Sequence, residues 1–212
     1  MIDSVLMTVP DRLDECRRTL ESVRNAGFDP TVIIDVDGAG PYPMFRRALL
    51  AALSNASHVA VFQDDIRLST GCRDYVLQSM EEVGVLGVFS LFTSGRNHTE
   101  AVTSRFVWRM GWHAVRMPTR ADGAQAYVFP VEFARLFLEV APHPERRAQV
   151  DHWVGVFCRD HSIPYFVHVP SLCLHALPHH STLADAGTRE CRQCRSWVVS
   201  VDPWFEEAVD DG

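Results

Sequence analysis

The sequence predicts an α/β fold in which a mixed, mainly parallel sheet is flanked by helices on both faces. Two observations carry this. Short apolar runs rich in β-branched and aromatic residues (TVIID, HVAVF, VLGVF) have the length and composition of buried strands. They alternate with segments of helical length and helical apolar spacing, and the links between them are short. Strand, helix, strand in that order specifies parallel strands joined by crossover helices.

Each element has a local reason. Residues 4–9 read as the first strand. Asp11 is placed to cap a helix through Leu13, Leu20 and Val23, with Glu15 near its first turn and Gly27 closing it. Residues 31–36 (TVIIDV) read as a second buried strand ending at Asp35 and Asp37. The glycine- and proline-rich GAGPYP reads as a loop, residues 45–53 as the second helix, and residues 58–62 as the third strand. A helix over 73–83 and a buried strand over 85–92 follow. From Thr93 to Arg120 no period is evident. Residues 126–130 then read as a strand, 131–140 and 148–159 as helices, and 165–169 as a late strand that Pro170-Ser171-Leu172 turns out of the sheet.

Composition narrows the function. The 212 residues suffice for one domain with a sizeable core, and 47% hydrophobic with 22% charged residues is ordinary for a globular protein. The net charge of -7 provides no basic face for nucleic acid. All 20 basic residues are arginine, which fits codon bias and excludes Schiff-base or lysine-dependent phosphate chemistry. No apolar run approaches the ~20 residues that span a bilayer, and the acidic start MIDSVLMTVPD is too short for a secretory signal, so the expected location is cytoplasmic. The six cysteines do not space out as a disulfide framework.

The most informative stretch is VAVFQDDIRL, residues 59–68. An apolar strand ends in adjacent carboxylates, Asp64 and Asp65, which are costly there unless something cationic meets them. In open α/β sheets ligands sit beyond the carboxyl ends of the strands, so position and chemistry both point to a metal-assisted nucleotide-sugar site. A structural ion pair with Arg67 or Arg46 is the alternative.

Four pieces, in order, resemble a small glycosyltransferase of the GT-A fold over roughly residues 2 to 185. VLMTVPDRLDECRRTLESVRNAGF is similar to the opening strand and helix that hold the nucleotide, and VFQDDIRLS to the acidic D-x-D or E-D-D element, with Gln63 in place of the first acid. DGAQAYVFP is similar to the acceptor-side segment, and DHWVGVFCRDHSIPYFVHVPSLCLH to the late helix, strand and P-S-L-x-x-H ending. The resemblance implies a single domain over 1–212: a nucleotide-sugar-binding half at 1–92, an acceptor and catalytic half at 93–185, and a tail at 186–212. It also implies a metal-dependent, inverting transfer from a nucleotide-diphosphate sugar, with UDP-sugar as the expected donor.

Residue roles follow. A hard cation, Mn²⁺ or Mg²⁺, takes carboxylate oxygens and sometimes imidazole, so Asp65 and His175 are the expected metal ligands. Asp64 is expected to accept from ribose hydroxyls or to hold a metal-bound water. Thr8, Val9 and Pro10 offer backbone groups to a pyrimidine edge, and Arg12 to the base or a phosphate. Asp35 and Asp37 can accept from a base N–H or ribose, although Asp37 before Gly38 equally suits a turn. Arg46 or Arg47 can counter a phosphate. Asp151 in VDHWVG is the expected base, with a helix cap as its alternative role, and Asp122 in ADGAQAY is the second candidate. Trp108, Trp112 and Trp153 suit either sugar faces or the core. The acceptor stays open among a glycan, a lipid-linked sugar, a protein, a metabolite and a modified nucleic-acid base. Two other classes stand beside this one: a non-catalytic nucleotide-sugar-binding protein of the same fold, and a zinc-stapled interaction module built on Cys191-Arg-Gln-Cys194.

Overall fold

Alternate residues of the central strands point into two different hydrophobic cores. Val5 and Met7, Val59 and Val61, Tyr127 and Phe129, Tyr165 and Val167 lie in one core; Leu6, Ala60 and Phe62, Ala126 and Val128, and Phe166 lie in the other. A strand that is apolar on both faces can only sit inside a sheet covered on both sides. The computed structural model describes residues 1–53, 56–93, 111–120, 123–141, 149–169 and 171–175. Its strands are β1 (Ile2–Thr8), β2 (Thr31–Ile34), β3 (His58–Gln63), β4 (Ile66–Leu68), β5 (Val88–Ser90), β6 (Gly111–Ala114), β7 (Ala126–Pro130), β8 (Tyr165–Val169) and β9 (Cys173–His175). Its α-helices are α1 (Leu13–Asn25), α2 (Pro41–Ala52), α3 (Cys72–Val83), α4 (Val131–Val140) and α5 (Val150–Asp160).

The main sheet has seven strands in the order β2-β1-β3-β7-β5-β8-β6. β1 runs parallel to β2 and β3, and β5 parallel to β8, whereas β7 and β6 run against their neighbours. Five strands therefore share one direction, and the sheet is mixed but mainly parallel, as expected from the sequence. Helices α2, α4 and α5 contribute to the first core, and α1 and α3 to the second. The first is dominated by aromatic rings: Phe45 meets Tyr127, Phe129 and Phe137 at centroid distances of 5.9, 6.0 and 5.8 Å. No helix among the described residues is long and apolar enough to cross a membrane.

Several local expectations change. Asp11 does not cap α1: a 3-10 turn, Pro10–Arg12, intervenes, and Arg12 occupies the N-cap position. Pro10 favours that turn because its fixed φ suits a first helical position and its missing N–H has no partner to lose. Part of the GAGPYP loop is helix, since Pro41 opens α2 after Gly40 at φ 93°. β2 is half-exposed rather than buried, because it is the sheet edge beside β1 alone. It stops at Ile34, so Asp35 and Asp37 follow it in a turn. β5 is confined to Val88–Ser90, leaving Val85 and Leu86 exposed. The strands β4, β6 and β9 have no counterpart in the sequence reading.

Gly155 marks the closest helix approach. A Cβ on it would fall on the carbonyl of Pro118 and within 2.9 Å of the Thr119 Cα. Glycine to alanine inside a helix ordinarily stabilises by about 1 kcal/mol. Here the sign reverses: Gly155→Ala is expected to lower stability in denaturant unfolding by about 1–3 kcal/mol, as overpacking does. A stabilised variant would contradict the packing of α5 against residues 118–120.

Candidate active site

A cleft of about 550 Å³ opens beyond the carboxyl ends of β1 and β3, within the size range of small-molecule sites. The 3-10 turn, the start of α2, residues 123–125, the first turn of α5 and the end of β9 complete its walls. Of the residues singled out from sequence, Thr8, Val9, Arg12, Asp35, Asp64, Asp65, Asp151 and His175 line it.

The two aspartates are buried, and α1 fixes the turn that carries them. Thr19 Oγ1 donates to the carbonyls of Asp64 (2.7 Å) and Ile66 (3.2 Å). Arg67 donates through Nη1 to the Ile66 carbonyl and through Nη2 to the buried carboxylate of Glu15, both at 2.8 Å. Ser22 Oγ accepts from the Leu68 N–H at 2.9 Å. Glu15, Thr19 and Ser22 thus form a polar stripe at helical spacing that stands in for a neighbouring strand along one side of β4. On the other side β4 pairs antiparallel with β9, with Ile66 opposite His175. That register places His175 Nε2 3.1 Å from Asp65 Oδ2, across 110 positions of sequence.

The cation that meets the pair is Arg12, not Arg67 or Arg46. Its Nη2 lies 3.1 Å from Asp64 Oδ1 and 3.0 Å from Asp65 Oδ2. The neighbours make the two carboxyls unequal. Burial raises the pKa of Asp64, only partly offset by the 2.6 Å hydrogen bond from Thr8 and the charge of Arg12, while Asp65 raises it further. Burial pushes Asp65 the same way, but the hydrogen bond and charge of His175, together with Arg12, outweigh it and hold that carboxyl below its ordinary range.

Asp65 Oδ1 is buried without a hydrogen-bond partner. An orphaned carboxylate oxygen suits a hard divalent cation. The donor set therefore fits Mg²⁺ or Mn²⁺ with positions left for phosphate and water. Among the described residues, no group of three or more His, Cys, Asp or Glu side chains gathers around one point as a complete protein cage would.

Other expected site residues have different partners. The Asp35 carboxylate accepts from the N–H groups of Ala39 and Gly40, both at 2.8 Å, and so shapes the loop entering α2. Asp37 does not line the cleft; Arg47 binds it through both oxygens at 2.9 and 2.7 Å and holds its carboxyl well below the usual range. Arg46 also points elsewhere, donating to the carbonyls of Leu138 (2.6 Å) and Ala141 (3.2 Å) at the end of α4, where orphan carbonyls attract a cation. Pro10 is exposed in the 3-10 turn and does not line the cleft. Trp112 donates to Ser79 and packs on Phe89 and His168, and Trp153 packs near Tyr42; neither lines the cleft. Asp122, Trp108, Cys191 and Cys194 lie outside the described residues.

Asp151 lines the same cleft as the carboxylate pair. It is the second residue of α5 rather than its cap, which is Gln149. Its Oδ2 accepts the Gly123 N–H at 2.9 Å, and its Oδ1 the N–H of His152. The other side of the Gly123 residue is held too, since its carbonyl accepts from Tyr127 Oη, which in turn accepts from Tyr165 Oη. Gly123 has φ 105°, and a Cβ there would strike the Phe92 ring. Sequence reading marked DGAQAY as a motif but not Gly123 or Tyr127 as its anchors; the glycine was the available signal.

No protein-family model matches the chain, and no curated protein matches it. Among solved structures, a Drosophila β-1,4-galactosyltransferase 7 mutant in complex with manganese, UDP-Gal and xylobiose is similar at a TM-score of 0.52 and 10% identity. The alignment covers 94% of this chain and 82% of that one. A protein described as a glucose-1-phosphate thymidylyltransferase of Bacillus anthracis is similar at a TM-score of 0.46 and 10% identity, over 82% and 89% of the two chains. The fold is therefore GT-A-like, a Rossmann-type mixed sheet shared with the galactosyltransferase.

The opposed shifts of the carboxylate pair give a test without added cations. A depressed carboxyl contributes stability that is present above its unfolded pKa and lost as pH falls through its folded value. A raised one costs stability as pH rises from its unfolded toward its folded value. Relative to wild type, Asp65→Asn is therefore expected to lose stability at pH 7 compared with pH 2, and Asp64→Asn to gain it. Urea unfolding across that range checks both signs; parallel behaviour of the two variants would contradict the asymmetry.

Proposed function

We propose that this protein is a glycosyltransferase that moves a sugar from a nucleotide-diphosphate sugar, a UDP-sugar by preference, to an acceptor hydroxyl with inversion, using Mn²⁺ or Mg²⁺. The observation that carries this reading is the meeting of Asp65, His175, Arg12 and Asp151 in one cleft beyond the strand ends. The likeness in fold to a galactosyltransferase solved with manganese and UDP-Gal supports it.

Asp65 and His175 would hold the cation, with Asp65 Oδ1 as the free ligand atom. When bound, a divalent cation acts as a Lewis acid that neutralises charge on the departing diphosphate. The chain does the rest. Thr8, Val9 and the Asp35-ordered loop form the wall on which base and ribose would lie. Asp64, tied to Thr8, would accept from a ribose hydroxyl or a bound water. Asp151 would take the proton of the acceptor hydroxyl as its oxygen attacks the anomeric carbon; the bond from that carbon to the diphosphate oxygen breaks, and its electron pair leaves with the nucleotide. Holding base and acceptor in line lowers the barrier by prepaying the entropy of their encounter, and the Gly123 anchor on Asp151 serves it.

A non-catalytic nucleotide-sugar binder has one observation in its favour: both Asp151 oxygens already accept backbone N–H groups. A thermal-shift panel separates the readings at the binding level. UDP with Mn²⁺ at about 100 times Kd is expected to raise Tm by about 5–10 °C. Asp65→Asn should remove the Mn²⁺-dependent part. Absence of any metal-dependent nucleotide effect in wild type would sink both readings.

Turnover decides between them. Asp151→Asn is expected to retain UDP binding while slowing hydrolysis or transfer from the responsive UDP-sugar by about 10²- to 10⁴-fold. Unchanged turnover would remove Asp151 as base, and no turnover in wild type with any donor would favour the binder.

A further inference from the structure

The position of Arg12 does not follow from the proposed cation site; it competes with it. A guanidinium nitrogen 3.0 Å from Asp65 Oδ2 stands on the same carboxylate that a cation beside His175 would take. Two positive charges at that spacing in a buried site repel strongly, so both cannot keep their places. What holds the side chain is charge, since its Nη2 lies between two buried carboxylates, 3.1 Å from Asp64 Oδ1 and 3.0 Å from Asp65 Oδ2. Its backbone is fixed, with its N–H bonded to the Val9 carbonyl at the entry to α1. A long side chain on a fixed pivot beside a cleft has space to turn into once that charge is met in another way.

Charge counting gives the direction of the swing. With His175 neutral, as a cation's ligand must be, two carboxylates and one guanidinium sum to one negative charge, and a divalent cation turns this into one positive charge. The excess resides on Arg12, and a diphosphate brings two negative charges to the same cleft. Guanidinium pairs well with phosphate, bidentately and without loss of its charge.

We propose, resting on the nucleotide-sugar reading above, that Arg12 is an exchangeable counter-charge. It neutralises the Asp64–Asp65 pair in the empty site, is displaced when a divalent cation takes Asp65, and is thereby delivered to the diphosphate. Cation and nucleotide then bind with positive coupling beyond what their own contact supplies, and Arg12 is the positioning residue that adds it. Coupling between two ligands is reciprocal and typically amounts to about 5- to 150-fold in affinity.

The test uses the full chain, with Mn²⁺ alone followed by electron paramagnetic resonance titration, and UDP by calorimetry with and without Mn²⁺. In wild type, Mn²⁺ is expected to tighten UDP binding, and UDP to tighten Mn²⁺ by the same factor. In Arg12→Gln, Mn²⁺ alone should bind about tenfold more tightly, UDP with saturating Mn²⁺ about tenfold more weakly, and the coupling factor should fall clearly below that of wild type. Arg12→Lys, which keeps the charge and guards against a folding defect in the first variant, should retain coupling above that of Arg12→Gln. If wild type binds UDP with Mn²⁺ and Arg12→Gln keeps the wild-type coupling factor, the exchange is wrong and the site reading stands. If wild type binds neither, both are wrong.

Discussion

Burying two adjacent carboxylates is the constraint around which this molecule is arranged. Asp64 and Asp65 repel each other and lose water together, and removing one partner from a buried charge pair typically costs about 3–5 kcal/mol. The chain answers with supports from four separate segments: the Thr8 hydroxyl at the end of β1, the Arg12 guanidinium, the polar stripe of α1, and His175 on β9. Because these supports fall unevenly, the two carboxyls come to differ, one raised and one depressed. A purely structural ion pair has no need of an orphaned oxygen, and Asp65 Oδ1 is one. The polar cost is concentrated at the point where the fold leaves a cleft.

The part of the cleft that carries Asp151 is built by different means. A glycine that tolerates no side chain, Gly123, is pinned by Asp151 on its N–H and by buried Tyr127 on its carbonyl. Tyr127 also packs against Phe45 and Tyr165 in the first core. The position of Asp151 is thereby coupled to the packing of the sheet, which links the aromatic core to the geometry of the proposed chemistry. Gly155 brings α5, the helix that carries Asp151, against residues 118–119.

Much of the sheet was legible because burial on two faces leaves continuous apolar runs, and HVAVF or YFVHV admits few other readings. The carboxylate pair was legible for the same reason, since charge at the end of such a run is conspicuous. Short strands that owe their existence to partners were not legible. β4 and β9 have three residues each and form because α1 and the chain after β8 meet them. The α1 stripe of Glu15, Thr19 and Ser22 was visible as letters but reads as an ordinary solvated helix face until the hydrogen bonds to β4 are seen. The partners of Arg46 and Asp37 were not legible, because sequence gives proximity along the chain, whereas the end of α4 and Arg47 are brought to them by the fold. The counter-charge Arg12 was assigned to the nucleotide, and the contact it makes with the aspartates is tertiary.

Anomalous diffraction from crystals soaked with Mn²⁺ and UDP shows whether the Asp65–His175 edge of the cleft binds a divalent cation together with a nucleotide diphosphate. A manganese peak is expected within about 2.1–2.4 Å of an Asp65 carboxylate oxygen and of His175 Nε2, with UDP in the same cleft. A manganese peak elsewhere, or UDP in the cleft with Arg12 still seated between the aspartates and no metal beside Asp65, would contradict that expectation.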